Sequence, residues 1–359
     1  MRKKIGILGT RGIPNNYGGF EKFAEYLSFG LQNKNYEVIV YNSHFHPYKK
    51  KEINGVNIVH RWDPKKIGLA SQFIYDLLCV INARKQKFNV IIQLGYTTSS
   101  IWAWLLPKKA KIIYNMDGIE WKREKYKGLL KKFLKYAEKL AIKTSDIVIA
   151  DSMPIKKYLD KKYNTNVEFV AYPTSLSLDL DISLLKKYNL NKYSYNLIIA
   201  RFQPDNSIEK IIKGHILSTS SFQLIIVGDY NNKYGRYLTK KYIDKSIIFL
   251  GKIYNKNILD SLRHFSFLYF HGHTSGGTNP SMLEAMATSC IICAHNNEFN
   301  RSVLNDDAFY FNNEKDISEM LNTRFDRNDK SNWIENNLSK LRVQYSEEVI
   351  IGKYYNLIS

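Results

Sequence analysis

The chain has 359 residues, enough for two domains with sizeable cores. Its 53 basic and 33 acidic side chains leave a formal charge of +20, which calls for an anionic partner: a nucleic acid, an anionic lipid or a phosphorylated substrate. Nothing approaches the run of about 18 apolar residues that a membrane span requires, the apolar stretch Ile5–Leu8 is too short for a signal peptide, and three cysteines without an export signal read as reduced thiols of a cytoplasmic protein.

Lys4–Leu8 reads as a strand feeding a glycine-rich loop. Gly6, Gly9 and Gly12 invite comparison with a dinucleotide fingerprint, but Gly6 lies inside the strand. The next strand, Glu37–Tyr41, also ends at Asn42 without the acidic residue that would bind a ribose hydroxyl. The run Gly12–Glu21 suits a substrate loop, with a plain turn as the alternative. Phe20–Leu31 has helical spacing at Phe23, Ala24, Leu27 and Leu31. Val90–Leu94 and Lys111–Tyr114 are further strands. Asp117 follows the second of them and either caps a helix or touches a sugar or an acceptor.

Lys122–Lys143 is expected to be a helix carrying nine basic and two acidic residues. Leu130, Phe133, Leu134, Ala137, Leu140 and Ala141 form its core stripe. Its basic face is either solvated or laid on an anionic membrane. Asp146–Ala150 is a strand, and Ser152 is the N-cap of a helix over Pro154–Lys162.

After a linker around Ala171–Lys192 the pattern restarts. Leu197–Ala200, Gln223–Val227, Ile247–Leu250, Phe267–Phe270 and Cys290–Ala294 are predicted strands, Ile208–Thr219 a helix, and Trp333–Ile358 a C-terminal helix. Strands alternating with helices argue an α/β protein with doubly wound parallel sheets. Arg201 stands at a strand's C-terminal end, where parallel sheets bind ligands, and its fork suits a diphosphate; a plain surface arginine is the alternative. His271 and His273 lack an Asp, Glu or Cys to complete a metal set, so hydrogen bonds to a phosphate or sugar suit them better. Cys290 and Cys293 have redox-motif spacing, but within an apolar strand they read as buried structural thiols.

The most telling stretch is Gly276-Gly-Thr-Asn-Pro-Ser-Met-Leu-Glu-Ala285. Pro280 is pre-set for the first helical position, with Thr278 or Asn279 as N-cap. Free amides at such a start form an anion site, and two glycines let a phosphate come close. Glu284, one turn in, can hold ribose hydroxyls. A diphosphate beside a ribose is a nucleotide, and the setting suits a nucleotide-sugar.

With these residues in place, the chain resembles the retaining, GT-B-fold glycosyltransferases of family 4 over nearly its whole length. The variant Gly276–Ala285 segment looks like a branch that includes bacterial capsule and O-antigen rhamnosyltransferases. So do Gly9-Thr-Arg-Gly-Ile-Pro14 with Tyr17-Gly-Gly-Phe-Glu21, Asn115-Met-Asp-Gly-Ile-Glu-Trp-Lys-Arg123, and Phe299-Asn-Arg301. Three positions depart from the family pattern: Gly276 stands where a Glu is usual, Asn206 where a Lys is usual, and Asp117 where a His is common.

The resemblance implies two Rossmann-like domains facing across a cleft: residues 1–175 on the acceptor side, 176–335 binding the nucleotide-sugar, and a C-terminal helix, 336–359, packing back on the first. It implies catalytic roles for Asp117 and Arg201. The donor diphosphate would rest on Arg201, Gly276, Gly277, Thr278 and Asn279, and the ribose on Glu284. His271, His273 and Asp117 would meet donor sugar or phosphate, and Gly18, Gly19 and Glu21 would form an acceptor or donor loop. The leaving phosphate would take the acceptor's proton, with no protein nucleophile, no metal, and no cofactor beyond the nucleotide-sugar co-substrate. The leading expectation is transfer of rhamnose from dTDP-rhamnose to a lipid-linked surface-polysaccharide acceptor, with the protein peripheral on the inner face of the cytoplasmic membrane through Lys122–Lys143. The alternatives are another hexosyl transfer from a UDP- or GDP-sugar and a nucleotide-sugar epimerase. A basic nucleic-acid-binding protein is more remote, because finger spacing, an RNA-recognition sheet motif and a basic arm are all absent.

Overall fold

The computed structural model describes residues 2–16, 18–64, 70–123, 126–177, 179–323 and 325–359. Tyr17, of the loop motif, and Glu124 and Lys125, of the basic segment, lie outside the described residues. The chain forms two compact units: Met1–Pro173 with Glu347–Ser359, and Thr174–Ser346.

The first unit is built on an eight-stranded sheet. Its strands are β1 (Lys4–Leu8), β2 (Glu37–Ser43), β3 (Glu52–Ile53), β4 (Val56–Arg61), β5 (Val90–Leu94), β6 (Lys111–Met116), β7 (Ile147–Ala150) and β8 (Val167–Phe169). They lie in the order β3-β4-β2-β1-β5-β6-β7-β8, and every pairing is parallel except β3 with β4. Helices α1 (Gly19–Asn33), α2 (Ala70–Ala83), α3 (Gly128–Thr144) and α4 (Met153–Tyr163) connect them. The strands read as continuous apolar runs because a parallel sheet is covered on both faces; all five residues of β5 are buried. Helix α1 buries Phe23, Ala24, Leu27 and Leu31, the stripe that its periodicity predicts.

The second unit carries a six-stranded, wholly parallel sheet: β9 (Tyr195–Ile199), β10 (Gln223–Val227), β11 (Ile247–Gly251), β12 (Leu268–His271), β13 (Ile292–His295) and β14 (Phe309–Phe311), in the order β11-β10-β9-β12-β13-β14. Its helices are α5 (Ile208–Leu217), α6 (Lys233–Lys241), α7 (Lys256–His264), α8 (Pro280–Ala287), α9 (Glu298–Leu304), α10 (Glu314–Asn322) and α11 (Ser331–Lys340). Ile198, Ile212, Leu224, Phe270 and Phe311 lie in one buried cluster of this unit.

Two predicted helices are corrected. The C-terminal segment is not one helix over Trp333–Ile358. Helix α11 continues as π-helix over Leu341–Tyr345, the chain becomes extended at Ser346, and a separate helix α12 (Glu347–Ile358) packs within the first unit. Glu347 and Glu348 suit the fresh N-terminus of α12, where the helix dipole favours acids. The basic segment is likewise not helical from Lys122. Glu120–Lys122 is a single 3-10 turn, Arg123 is extended, and α3 starts only at Gly128, whose φ of +57° favours glycine. Strands β3 and β4 were not expected, although Asn54 (φ +48°) and Gly55 (φ +78°) carry the Asn-Gly signature of a two-residue hairpin.

Candidate active site

In a doubly wound sheet, ligands bind beyond the carboxyl ends of the strands where the winding reverses. In the second unit that point lies between β9 and β12, whose C-terminal loops carry the residues picked from sequence. Arg201 follows β9. Its side chain is exposed and, among the described residues, has no hydrogen-bond or ion-pair partner. Asn206, standing where the family places a lysine, is buried, and its Nδ2 donates to the Arg201 carbonyl at 2.6 Å. Its part in the structure is to lock the loop that presents Arg201. The loop after β12 meets that same loop: Thr274 N and Oγ1 donate to the Asp205 carbonyl at 2.9 and 3.1 Å. Gly272 packs so closely that a Cβ there would lie 2.1 Å from the Asn206 carbonyl oxygen.

His271 is buried at the end of β12, and neither ring nitrogen has a hydrogen-bond partner among the described residues. Burial, then His273 and Arg263, push its pKa well below the ordinary imidazole range, so the ring is neutral. The His273 ring stacks on it at 4.4 Å between centroids. Asn300, from the Phe299–Arg301 motif, holds the His273 carbonyl through its Nδ2 at 3.1 Å.

Of the two possible caps of α8, Asn279 is the one used: its Oδ1 accepts from Ser281 N at 3.0 Å, with Pro280 in the first turn. Thr278 is buried, and Gly277 is half-buried. Gly276 has φ +125°, a conformation that an L-residue adopts only under strain, although a Cβ there would meet open space. The missing family carboxylate thus coincides with a backbone that glycine alone adopts freely.

Glu284 is held by a residue that sequence reasoning missed. Arg263 Nη2, from α7, donates to Glu284 Oε2 at 2.7 Å, while Arg263 Nη1 donates to Asp260 Oδ1 at 3.0 Å. Asp260 is buried and also accepts from Ser177 Oγ at 2.8 Å and from Lys256 Nζ. Burial works against the guanidinium charge, but Glu284, Tyr269 and Asp260 outweigh it, and the Arg263 pKa is raised. One edge of the Glu284 carboxylate is thereby fixed. Tyr269 OH pairs with Ser281 Oγ at 2.8 Å and ties the first turn of α8 to β12.

In the first unit the winding reverses between β1 and β5. Gly9 (φ +86°) lies against the C-terminal end of β5, where a Cβ would sit 2.2 Å from the Leu94 carbonyl oxygen. Glu21 is buried; its Oε1 accepts from Arg11 N at 2.8 Å and from Thr10 Oγ1 at 3.3 Å, so it staples this loop to α1. Gly18 is half-buried and Gly19 exposed, and they form the open part of the loop. Tyr96 OH, after β5, donates to the Gly118 carbonyl at 3.1 Å and accepts from Glu120 N at 3.1 Å, which brings the Asp117 turn to the same edge. Asp117 caps no helix; the short turn after it begins beyond Ile119. Its Oδ1 accepts from Tyr172 OH at 2.6 Å, and Phe23 of α1 packs edge-on against the Tyr172 ring at 5.2 Å. Burial, then Asp117 and Asp151, raise the Tyr172 pKa far above the phenol range, so Tyr172 is the proton donor of that pair.

Cys290 and Cys293 are buried free thiols; burial raises Cys290 to about 11 and Cys293 well above the thiol range. Among the described residues no group of three or more His, Cys, Asp or Glu side chains is placed to hold a metal ion. Among them, too, no helix is long and apolar enough to cross a membrane.

Residues 2–175 match a domain of unknown function, DUF1972, and residues 183–340 match glycosyl transferases group 1. The chain is 26% identical over 234 residues to the protein CapJ of Staphylococcus aureus, covering 62% of this chain, and it spans about half (54%) of that relative's length. Among solved structures, sucrose-phosphate synthase of Thermosynechococcus elongatus superposes with a TM-score of 0.83 at 13% identity, covering 99% of this chain and 98% of that one. HepE of Anabaena, crystallised with UDP and glucose, superposes with a TM-score of 0.78 at 14% identity, covering 100% and 99%. The two parallel-sheet Rossmann-like units thus have the GT-B fold, and residues 183–340 form a domain of the glycosyl transferases group 1 family.

Proposed function

We propose that this protein moves a sugar from a nucleotide-sugar to a surface-polysaccharide acceptor, with retention at the anomeric carbon. One observation carries the reading: the winding reverses between β9 and β12, the unengaged guanidinium of Arg201 follows the first of these strands, and the Gly276–Asn279 turn and the braced carboxylate of Glu284 belong to the segment that follows the second. Glu284 accepts hydrogen bonds from the ribose. Arg201 and the backbone amides of Gly276–Asn279 take up the charge that grows on the leaving diphosphate. Fixed donors aimed at developing charge lower the barrier without a metal. The released phosphate oxygen takes the acceptor's proton, so no protein base is required. Asp117, oriented by Tyr172, positions the transferred sugar, with His271 and His273 on donor sugar or phosphate.

Similarity to the capsule protein CapJ supports a surface-polysaccharide acceptor, here taken as lipid-linked. The lysines of α3 favour an anionic membrane on the cytoplasmic side. Rhamnose from dTDP-rhamnose is the leading donor assignment.

A thermal-shift panel of nucleotide-sugars tests it directly: dTDP-rhamnose is expected to raise the unfolding midpoint most, and a larger rise with a UDP- or GDP-sugar would reassign the donor. Glu284→Gln is expected to weaken nucleotide binding roughly tenfold by calorimetry, the loss of one charge-assisted hydrogen bond. Unchanged affinity would remove Glu284 from the ribose site.

A further inference from the structure

The segment Asn115–Arg123 ends in Trp121-Lys122-Arg123, and the sugar chemistry above uses only its Asp117. Trp121 Nε1 donates to Glu138 Oε2 at 3.0 Å. The other oxygen, Glu138 Oε1, accepts from Tyr158 OH at 2.9 Å, Tyr163 OH at 2.7 Å and Lys162 Nζ at 2.6 Å. Glu138 is the only acid in α3 itself, and it is buried with its charge spent on these four donors.

Above this base, positive charge collects. The ammonium groups of Lys135, Lys162 and Lys131 lie 4.4, 5.3 and 5.7 Å from the Trp121 ring centroid, and Lys122 lies 5.2 Å from the Tyr158 ring. The other described carboxylates nearby are engaged elsewhere: Glu120 with Arg123 at 2.9 Å and Asp160 with Lys156 at 2.9 Å. Among the described residues, Lys122, Lys131 and Lys135 have no ion-pair partner. Three ammonium groups within 6 Å of one ring centre repel one another. Cation–π attraction to the aromatic faces favours this placement of the lysine heads. A compact, multiply charged oxyanion relieves that repulsion, and ammonium groups bind phosphate as point charges.

The surroundings indicate where the phosphate comes from. Leu129, in the first turn of α3, is 83% exposed, and Tyr136 is 57% exposed. Lys132, Lys139 and Lys143 share the helix face of Tyr136 and are exposed. Apolar and aromatic side chains set among long lysines are the composition of a surface that lies on a bilayer.

We propose that Trp121, Lys122, Lys131, Lys135 and Lys162 form a phosphate-binding site that receives the headgroup phosphate of an anionic membrane lipid and holds the first unit on the bilayer. This deepens the membrane part of the proposed function and is independent of the sugar transferred.

Co-sedimentation with phosphatidylglycerol/phosphatidylcholine vesicles tests it with two double variants that remove equal charge from α3. Lys131→Gln/Lys135→Gln empties the site, and Lys132→Gln/Lys139→Gln leaves it intact. A diffuse surface field predicts the same loss for both, roughly thirtyfold for two lysines. The site predicts that the first pair binds at least tenfold more weakly than the second. Equal losses would overturn the site and leave the membrane attraction standing, whereas failure of the unaltered protein to bind vesicles would overturn both. In solution, the Trp121 indole N–H resonance, assigned with Trp121→Phe, should move on titration with glycerol phosphate. A movement matched by sodium chloride at equal ionic strength would overturn the site.

Discussion

Arg201→Ala is expected to lower the rate of sugar transfer by a hundredfold to a thousandfold while leaving the thermal unfolding midpoint almost unchanged. The two halves of this expectation have separate causes. The side chain is exposed and makes no hydrogen bond or ion pair among the described residues, so alanine forfeits no folded-state contact. Exposed substitutions of that kind typically stay within about 0.5 kcal/mol. The contact that does matter to the fold is made by the Arg201 carbonyl, which Asn206 Nδ2 holds at 2.6 Å and which alanine retains. The expected catalytic loss follows from the proposed role of the guanidinium, to meet the leaving diphosphate as its charge develops: removing one such fixed donor costs about 3–4 kcal/mol of barrier. Assays of turnover and of unfolding on the same preparation check both halves. Near-normal turnover would remove Arg201 from the site, and a large fall in the midpoint would make it a structural residue.

Arg263→Leu is expected to do the reverse and destabilise the second unit first. The guanidinium is buried and joins Asp260 to Glu284 at 3.0 and 2.7 Å. Breaking a buried pair by removing one partner typically costs about 3–5 kcal/mol, because the other charge stays buried. Asp260 keeps Ser177 and Lys256, and Glu284 is partly open to water, so the low end applies. For a unit of this size about 3 kcal/mol corresponds to a midpoint roughly 6–12 °C lower. Arg263→Lys should recover only part of this, since one ammonium cannot reproduce the fork that reaches both carboxylates. Nucleotide affinity should fall in both variants as Glu284 loses its fixed orientation. Calorimetric unfolding and nucleotide titration check the pair, and an unchanged midpoint for Arg263→Leu would contradict the bridge.

The glycosyltransferase reading and the roles of these two arginines were unequally legible in the sequence. Arg201 could be proposed from sequence because it directly follows an apolar strand, and a strand's C-terminal end is a place that the local pattern marks. Arg263 sits in a short amphipathic helix with nothing in its neighbours to single it out. Only the packing of α7 beside α8 brings it to Glu284, 21 residues away. Tyr172 was silent for the same reason: its partner Asp117 is 55 residues distant. Glu21 was read as part of a substrate loop, yet the fold turns it inward to hold Arg11 N.

Taken by itself, the sequence determined what depends on neighbouring residues. Continuous apolar runs specified the parallel strands, 3.6-residue stripes specified α1, and Ser152 and Pro280 specified two helix starts, the second with Thr278 or Asn279 as its cap. The two-fold repetition of strand and helix specified the class of fold. Tertiary structure decided what depends on which distant surfaces meet. It divided the C-terminal segment at Ser346, buried the one acid of α3 beneath Trp121, and braced Glu284 and Asp117 from other elements. Periodicity and caps are properties of consecutive residues, whereas the partner of a buried charge is chosen by strand order and helix packing, which no local pattern records.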